Sequence, residues 1–151
     1  MSRVAVIGAT GYAGADLVRI LAGHPDIELA MITSRQYAGQ SFATVYPSMA
    51  GRVDMVCTPY DANKVCEAAD IIFTALTHKV SMSIIPDLIE NGKRVVDLSA
   101  DFRFNDADLY ESCYEPHVAK DLLAKSVYGL TEIYAEQIKD ALLIGNPGCY
   151  P

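Results

Sequence analysis

RVAVIGATGYAG, residues 3–14, is the stretch of sequence that decides the fold. Its apolar run predicts a first strand, Arg3–Gly8, and the helical pattern that follows predicts a first helix, Tyr12–Ala22. A Gly-His-Pro-Asp turn ends this helix, since glycine can cap a helix and proline cannot continue one, and Ile27–Thr33 predicts a second strand. The chain therefore opens with a β-α-β unit.

Three glycines, Gly8, Gly11 and Gly14, stand between the first strand and the first helix. In this pattern the first glycine permits a tight turn, the second lets the backbone approach a pyrophosphate, and the third lets the helix pack closely on the strand. The helix N-terminus adds free N–H groups and a partial positive charge. A turn built only for backbone geometry is the alternative, but the place between strand and helix favours dinucleotide binding. The cofactor contacts predicted in this loop are Gly8, Thr10, Gly11, Tyr12, Ala13 and Gly14.

The rest of the chain alternates apolar runs with helical patterns. Further strands are predicted at Asp54–Cys57, Ile71–Leu76, Arg94–Leu98 and Leu142–Gly145, and helices at Ala62–Ala69, Val80–Asn91 and Glu132–Lys139. This alternation predicts an α/β fold, a Rossmann-like, mostly parallel twisted sheet with helices on both faces. Ser34–Arg52 and Ala100–Tyr128 are predicted to be elaborated loops, and Pro86 is expected to kink its helix or delay its start.

Composition limits the classes of protein and partner. The 151 residues are 51% hydrophobic and 21% charged, which is enough apolar material for a core, and we expect one domain over residues 1–151. Twelve Lys and Arg against 19 Asp and Glu give a net charge of -7, which argues against a nucleic acid or an anionic membrane as partner. No apolar run approaches the roughly 18 residues of a membrane span. The chain also begins with strand-like sequence rather than a leader, so a cytoplasmic location is expected.

The end of the second strand, Thr33-Ser34-Arg35, distinguishes between two cofactors. An acidic residue there would bond the ribose of NAD, whereas a hydroxyl and a guanidinium fit the 2′-phosphate of NADP. An exposed loop arginine without a ligand is the alternative, but the pattern favours NADP with Ser34 and Arg35 as contacts. Leu76 and Ser99, at the ends of other predicted strands, complete the predicted cofactor contacts.

Cys149 lies just past the predicted strand Leu142–Gly145, in the string Asn146-Pro147-Gly148-Cys149-Tyr150-Pro151. Ligands bind at the carboxyl ends of strands in open α/β sheets, and a thiolate there is a strong nucleophile. A buried cysteine that acts as a small apolar residue is the alternative, and we adopt it for Cys57 and Cys66. Cys113 is assigned no role. The four cysteines show no C-x-x-C spacing, so neither a metal site nor a disulfide framework is predicted.

Four strings together resemble one family, N-acetyl-γ-glutamyl-phosphate reductase of arginine biosynthesis. They are Gly8-Ala9-Thr10-Gly11-Tyr12-Ala13-Gly14-Ala15, Asp97-Leu98-Ser99-Ala100-Asp101-Phe102-Arg103, Tyr128-Gly129-Leu130-Thr131-Glu132 and Asn146-Pro147-Gly148-Cys149-Tyr150-Pro151. The glycine loop is shared with other dehydrogenases, whereas the second and fourth strings are highly specific. The resemblance extends from the first strand to the last residue.

The resemblance implies an enzyme that reduces an acyl phosphate to N-acetylglutamate semialdehyde with NADPH. Cys149 would attack the acyl phosphate, expel phosphate and form a thioester, which then accepts a hydride. A second, α+β domain of the family would follow Pro151 and supply dimer contacts, substrate-binding groups and the histidine that assists the cysteine. This chain alone is therefore expected to be inactive, and the whole protein is expected to be a homo-oligomer, a dimer or a tetramer.

The chain also departs from the family strings. Leu76-Thr77-His78-Lys79 stands where L-P-H-G is usual, and Thr131 replaces the proline of Y-G-L-P-E. Asp97, Asp101 and Arg103 resemble an acid/base cluster, although an ion-pair network that orders a loop is the favoured interpretation. Arg103 is a candidate contact for a substrate carboxylate.

The chain has three histidines that could act as a base, but none of them is predicted to activate the cysteine. His24 is interpreted as a solvated turn residue and His117 as structural, and His78 is near the expected cofactor edge but is not the histidine that the family uses.

Two other functions stay open at this point. An aspartate-semialdehyde dehydrogenase has similar fold and cysteine chemistry, but its usual P-N-C context differs from Pro147-Gly148-Cys149. A cofactor-binding module without catalysis is the second alternative.

Overall fold

Strands β1 (Ser2–Ile7), β2 (Ile27–Thr33) and β3 (Ile71–Thr74) form a parallel sheet in the first part of the chain. In the computed structural model, which describes residues 1–150, the chain divides into two compact units, Met1–Ala75 and a second unit that begins at Leu76. Within the first unit β1 is the central strand, because it pairs with β2 on one side and with β3 on the other.

Both faces of the central strand β1 are covered. Val4, Ala5, Val6 and Ile7 of β1 are all buried, and successive strand residues point to opposite faces, so neither face is open to solvent. Val4 and Val6 pack in one core with Val18 and Leu21 of helix α1 (Tyr12–Leu21). Another helix of this unit is α3 (Ala62–Ala68). The Asp61 side chain caps its N-terminus by accepting the N–H of Lys64.

The segment between β2 and α3 is more structured than a loop, and one predicted strand is absent from it. It contains a short helix α2 (Phe42–Val45) and a 3₁₀ turn, Pro47–Met49. Asp54–Cys57 does not form a strand, so that prediction is wrong. Its backbone bonds to the preceding loop instead, with Met55 accepting from Phe42 and Cys57 donating to Gln40, which leaves only isolated bridges at Val56 and Thr58.

The second unit contains a parallel sheet in which β6 (Leu143–Gly145) lies between β4 (Arg94–Asp97) and β5 (Val127–Tyr128). Helix α4 (Val80–Glu90) begins where the sequence predicts and continues in helical form through Pro86, so the expected delay of its start is wrong.

The region predicted as a loop at Ala100–Tyr128 contains the short helices α5 (Ala107–Cys113) and α6 (Lys120–Leu123) as well as β5. Helix α7 (Thr131–Asp140) follows β5. Alternation of strands and helices in both units confirms the predicted α/β class. Among residues 1–150 no helix has the length and apolarity needed to cross a membrane.

Candidate functional site

The glycine loop has the geometry predicted for it. Gly8 adopts φ +84°, a conformation that side chains disfavour. A Cβ on Gly14 would lie 2.2 Å from the carbonyl oxygen of Gly8 and 3.0 Å from Cα of Ala9, so only glycine fits where α1 meets the end of β1. Gly11, the residue before α1, has its nearest such contact at 3.7 Å and so leaves space beside the loop.

The start of α1 can receive an anion. The first N–H groups of a helix have no partner within the helix, and the first turn of α1 holds no acidic side chain that would compete for them. Tyr12 and Ala13 are exposed at this point. Three features together fit the pyrophosphate of a dinucleotide. They are the space beside Gly11, the close packing that only glycine permits at position 14, and a helix start without a side-chain cap.

Two predicted cofactor contacts from different elements come together in the first unit. The hydroxyl oxygens of Thr10 and Ser34 are 2.7 Å apart, and Ser34 also accepts a hydrogen bond from the N–H of Tyr37 at 3.1 Å. The N–H of Ser34 bonds to the carbonyl of Thr58. The end of β2 is thereby held against the glycine loop. Arg35 follows immediately and is exposed to solvent.

Tyr46 is a site residue that sequence reasoning missed. Its hydroxyl donates to the carbonyl oxygen of Thr10 at 2.8 Å, and its ring packs on Phe42 with the centroids 5.2 Å apart. Burial, and secondarily the neighbouring Tyr12 and Tyr37, raise the pKa of this phenol, so it stays a donor. The only signal in the sequence was a tyrosine-rich stretch after β2, because the contact spans 36 residues.

The Asp101 carboxylate, in the second unit, is fully buried and ties three segments together. One oxygen, Oδ2, accepts the N–H of Lys79 at 3.0 Å and the N–H of Met82 at 3.1 Å, which caps the start of α4. The other, Oδ1, accepts the Tyr110 hydroxyl at 2.9 Å. Burial and this hydrogen bond raise the pKa of Tyr110.

The hydrogen bonds of Arg103 go to main-chain carbonyls, which is not the arrangement expected of an ion-pair network. Its Nε donates to the carbonyl of Asn146 at 2.8 Å and its Nη2 to the carbonyl of Leu98 at 2.9 Å. Asp97 instead accepts the Ser99 hydroxyl at 2.6 Å, and the Ser99 oxygen accepts the N–H of Asp101. Together these contacts form a hydrogen-bond network that orders the loop, and its structural rather than catalytic role stays a prediction.

Ser99 and Leu76 were predicted as cofactor contacts and both lie in the second unit. Ser99 is buried and its hydroxyl is engaged with Asp97 and Asp101, whereas Leu76 is half-buried. Their contacts with a cofactor stay predictions.

Lys79 marks one departure from the family string. It stands at the glycine of L-P-H-G and adopts φ +73°, a left-handed conformation that glycine favours. A glycine would adopt this conformation without the strain that a lysine side chain brings. Thr131, in place of the other family proline, is the first residue of α7, where proline is favoured but not required.

The histidines occupy three different settings. His117 is buried, its Nδ1 accepts the N–H of Ala119 at 3.0 Å and its Nε2 is 2.8 Å from the carbonyl of Asp101, which confirms its structural role. His24 is exposed in a turn, as predicted. His78 is half-exposed, and its Nδ1 accepts the N–H of Ala100 at 3.3 Å.

Cys149 is exposed on the segment that follows β6. The root of this segment is Asn146, whose N–H donates to the carbonyl of Asp97 at 2.8 Å and whose carbonyl accepts from Arg103. Cys57 and Cys66 are buried, as predicted, and burial raises the pKa of the Cys57 thiol. Cys113 is exposed. Pro151, the last residue of the cysteine string, lies outside the described residues.

Over residues 3–141 the chain matches the family described as semialdehyde dehydrogenase, NAD binding domain. The chain belongs to this family. Membership agrees with the glycine loop and confirms the predicted dinucleotide-binding domain.

Curated relatives in this family confirm the resemblance drawn from the four strings. The chain is 52% identical over 151 residues to N-acetyl-gamma-glutamyl-phosphate reductase of Desulforapulum autotrophicum, covering all of this chain and 44% of the relative. The reductases of that name from Syntrophobacter fumaroxidans and Geobacter metallireducens are also 52% identical with the same coverage. The chain thus spans less than half the length of these relatives.

Solved structures of other proteins have a similar fold. Aspartate semialdehyde dehydrogenase II from Vibrio cholerae, complexed with ASA, has a TM-score of 0.71 at 16% identity and covers 99% of this chain and 42% of its own. Aspartate semialdehyde dehydrogenase with NADP from Candida albicans has a TM-score of 0.60 at 23% identity, over 68% of this chain and 31% of its own. These similarities establish the fold alone.

Proposed function

We propose that the whole protein is an NADPH-dependent N-acetyl-γ-glutamyl-phosphate reductase. The observation that carries the proposal is the exposed thiol of Cys149 just past the end of β6, in a chain about half identical along its whole length to reductases of that name. An exposed thiol at the carboxyl end of a parallel strand supports a role in covalent catalysis.

Cys149 is the proposed nucleophile. Its thiolate attacks the acyl carbon of the acyl phosphate, the bond to the phosphate oxygen breaks, and inorganic phosphate leaves with the electron pair. The product of this step is a thioester on Cys149. Hydride addition to the thioester carbon and departure of the thiolate then give the semialdehyde. The thiolate is regenerated, so the residue is unchanged after each cycle.

The first unit is proposed to bind the cofactor, which supplies the hydride when bound. Backbone N–H groups at the start of α1 would hold the pyrophosphate, with Gly8, Gly11 and Gly14 giving the loop its shape. Ser34 and Arg35, at the end of β2, would bind the 2′-phosphate of NADP. Tyr46 and Thr10 keep the loop in place for this contact.

Further expectations belong to the same proposal. The relatives' greater length leads us to propose that an α+β domain supplies the assisting histidine and dimer contacts, while residues 1–151 form the cofactor domain. Arg103 is proposed to contact the substrate carboxylate. A homo-oligomeric state, a cytoplasmic location and the absence of nucleic-acid partners also stay predictions.

The test is an assay of the whole protein in the reverse direction, with N-acetylglutamate semialdehyde, phosphate and NADP⁺, followed by the absorbance of NADPH. Cys149→Ser should lower kcat by at least about a thousandfold, because the hydroxyl is a far weaker nucleophile than a thiolate. Cys113→Ser removes the other exposed thiol of residues 1–150 and should leave the rate unchanged. A preference for aspartate semialdehyde as substrate, or equal effects of the two substitutions, would refute the proposal.

A further inference from the structure

The segment that carries the nucleophile, here called the cysteine loop (residues 146–150), is hydrogen-bonded to the sheet of the second unit at its first residue. Asn146 donates its N–H to the carbonyl of Asp97 at 2.8 Å. Its own carbonyl accepts the Nε of Arg103 at 2.8 Å. Both main-chain groups of Asn146 are thus occupied, one by the end of β4 and one by a side chain.

The Arg103 guanidinium joins two main-chain carbonyls that are distant in sequence. While Nε bonds to Asn146, Nη2 bonds to the carbonyl of Leu98 at 2.9 Å, in the residue that follows β4. The guanidinium is planar and its N–H groups are fixed in direction, so it can hold both carbonyls in one plane. A lysine ammonium is a single point and does not reproduce this fork.

Gly145 and Gly148, one on each side of Asn146, both lie close to Arg103. A Cβ on Gly145 would lie 2.0 Å from the carbonyl oxygen of Phe102 and 3.0 Å from the N of Arg103, so β6 ends in tight contact with the Arg103 backbone. A Cβ on Gly148 would lie 3.4 Å from Nη1 of Arg103. Arg103 therefore lies beside the residue before Cys149 as well as at the root of the loop.

We propose that Arg103 is a positioning residue that fixes the cysteine loop to the end of β4 and so sets the location of the Cys149 thiol. This role is additional to the substrate contact predicted from the sequence. It deepens the proposed function, on which its catalytic readout rests. Since small misplacements of a reacting group are costly to rate, we expect the loss of the fork to lower kcat.

The test compares Arg103→Lys with Arg94→Lys in the whole protein. Arg94 is a matched control because it is also in the second unit, begins β4 and donates through Nη2 to one carbonyl, that of Lys139, at 2.6 Å. Amide hydrogen exchange without substrate measures how often residues 146–150 open away from the sheet. Steady-state kinetics separate kcat from KM for the acyl phosphate.

In Arg103→Lys we expect exchange of the cysteine loop to rise by about tenfold and kcat to fall by at least about tenfold, with neither change in Arg94→Lys. Unchanged exchange together with a raised KM alone would mean that Arg103 acts only on substrate, and would overturn the inference. Faster exchange throughout the chain would also overturn it, since the role would then be general stability.

If Arg103→Lys does not fold, Arg103→Gln, whose shorter side chain keeps a planar donor but offers its N–H groups from a single nitrogen, is measured in the same way and judged by the same outcomes. A wild-type protein that reduces no acyl phosphate would refute the proposed function, while the exchange measurement would still decide the role of Arg103.

Discussion

Gly14→Ala should destabilise the protein and abolish cofactor binding together. The new Cβ would lie 2.2 Å from the carbonyl oxygen of Gly8, which is backbone and cannot rotate away. Overpacking costs about 1–3 kcal/mol, and the severity of this contact indicates the upper end. Because Gly14 is inside α1, the change also gains about 1 kcal/mol of helix propensity. The expected net loss is about 2 kcal/mol in the free energy of unfolding.

Two further glycine variants separate steric strain from ligand contact. A Cβ on Gly11 or on Gly23 would have its nearest contact at 3.7 Å, so each alanine variant should stay within about 0.5 kcal/mol of wild type in urea denaturation. In calorimetry Gly11→Ala should still weaken NADPH binding by at least about tenfold, because its methyl group would occupy the space proposed for the phosphate, whereas Gly23→Ala should bind normally. Wild-type stability and binding in Gly14→Ala would refute the close-packing argument.

Tyr46→Phe should weaken NADPH binding by about fivefold, since it removes a hydrogen bond of about 1 kcal/mol to the Thr10 carbonyl; an unchanged affinity in calorimetry would contradict a role in ordering the loop. Arg35→Ala should weaken NADPH binding more than NADH binding, and equal losses would refute the assignment of the 2′-phosphate. The pKa of Tyr110 is raised in the folded protein by burial and by its bond to Asp101, so its stabilising effect is complete below the unfolded value of about 10 and is lost as pH rises towards the folded value. Tm should therefore fall more steeply above about pH 10 in wild type than in Tyr110→Phe, and parallel curves would contradict this.

The sequence predicts best the strands and helices that are determined by residues close together in the chain. Ile27–Thr33 is a strand with the predicted bounds, and α1 begins at Tyr12 as the glycine spacing requires. Asp54–Cys57 fails because an apolar run forms a strand only if a partner strand is free, and here the loop at Gln40 takes its hydrogen bonds. Val127–Tyr128 is too short to show any periodicity.

The candidate site divides in the same way. Gly8 and Gly14 are predictable because their function is a property of the local backbone. Tyr46 is not, since its bond to Thr10 depends on how a long loop folds back. For Arg103, closeness in sequence to carboxylates suggested ion pairs, but the fold instead directs its guanidinium to main-chain carbonyls.

The pair of hydroxyls at Thr10 and Ser34 has a consequence that follows from counting protons. Two hydroxyl groups carry two protons, and the single bond between their oxygens uses one of them. The Ser34 oxygen also accepts the N–H of Tyr37, but this bond uses neither hydroxyl proton. Whether Thr10 or Ser34 donates in the bond between them, the other hydroxyl proton is left for a third oxygen. A phosphate oxygen bound here would thus accept one hydroxyl proton, and the other hydroxyl would rotate to keep the bond between Thr10 and Ser34. A ligand without an acceptor at this position would leave that proton without a hydrogen bond.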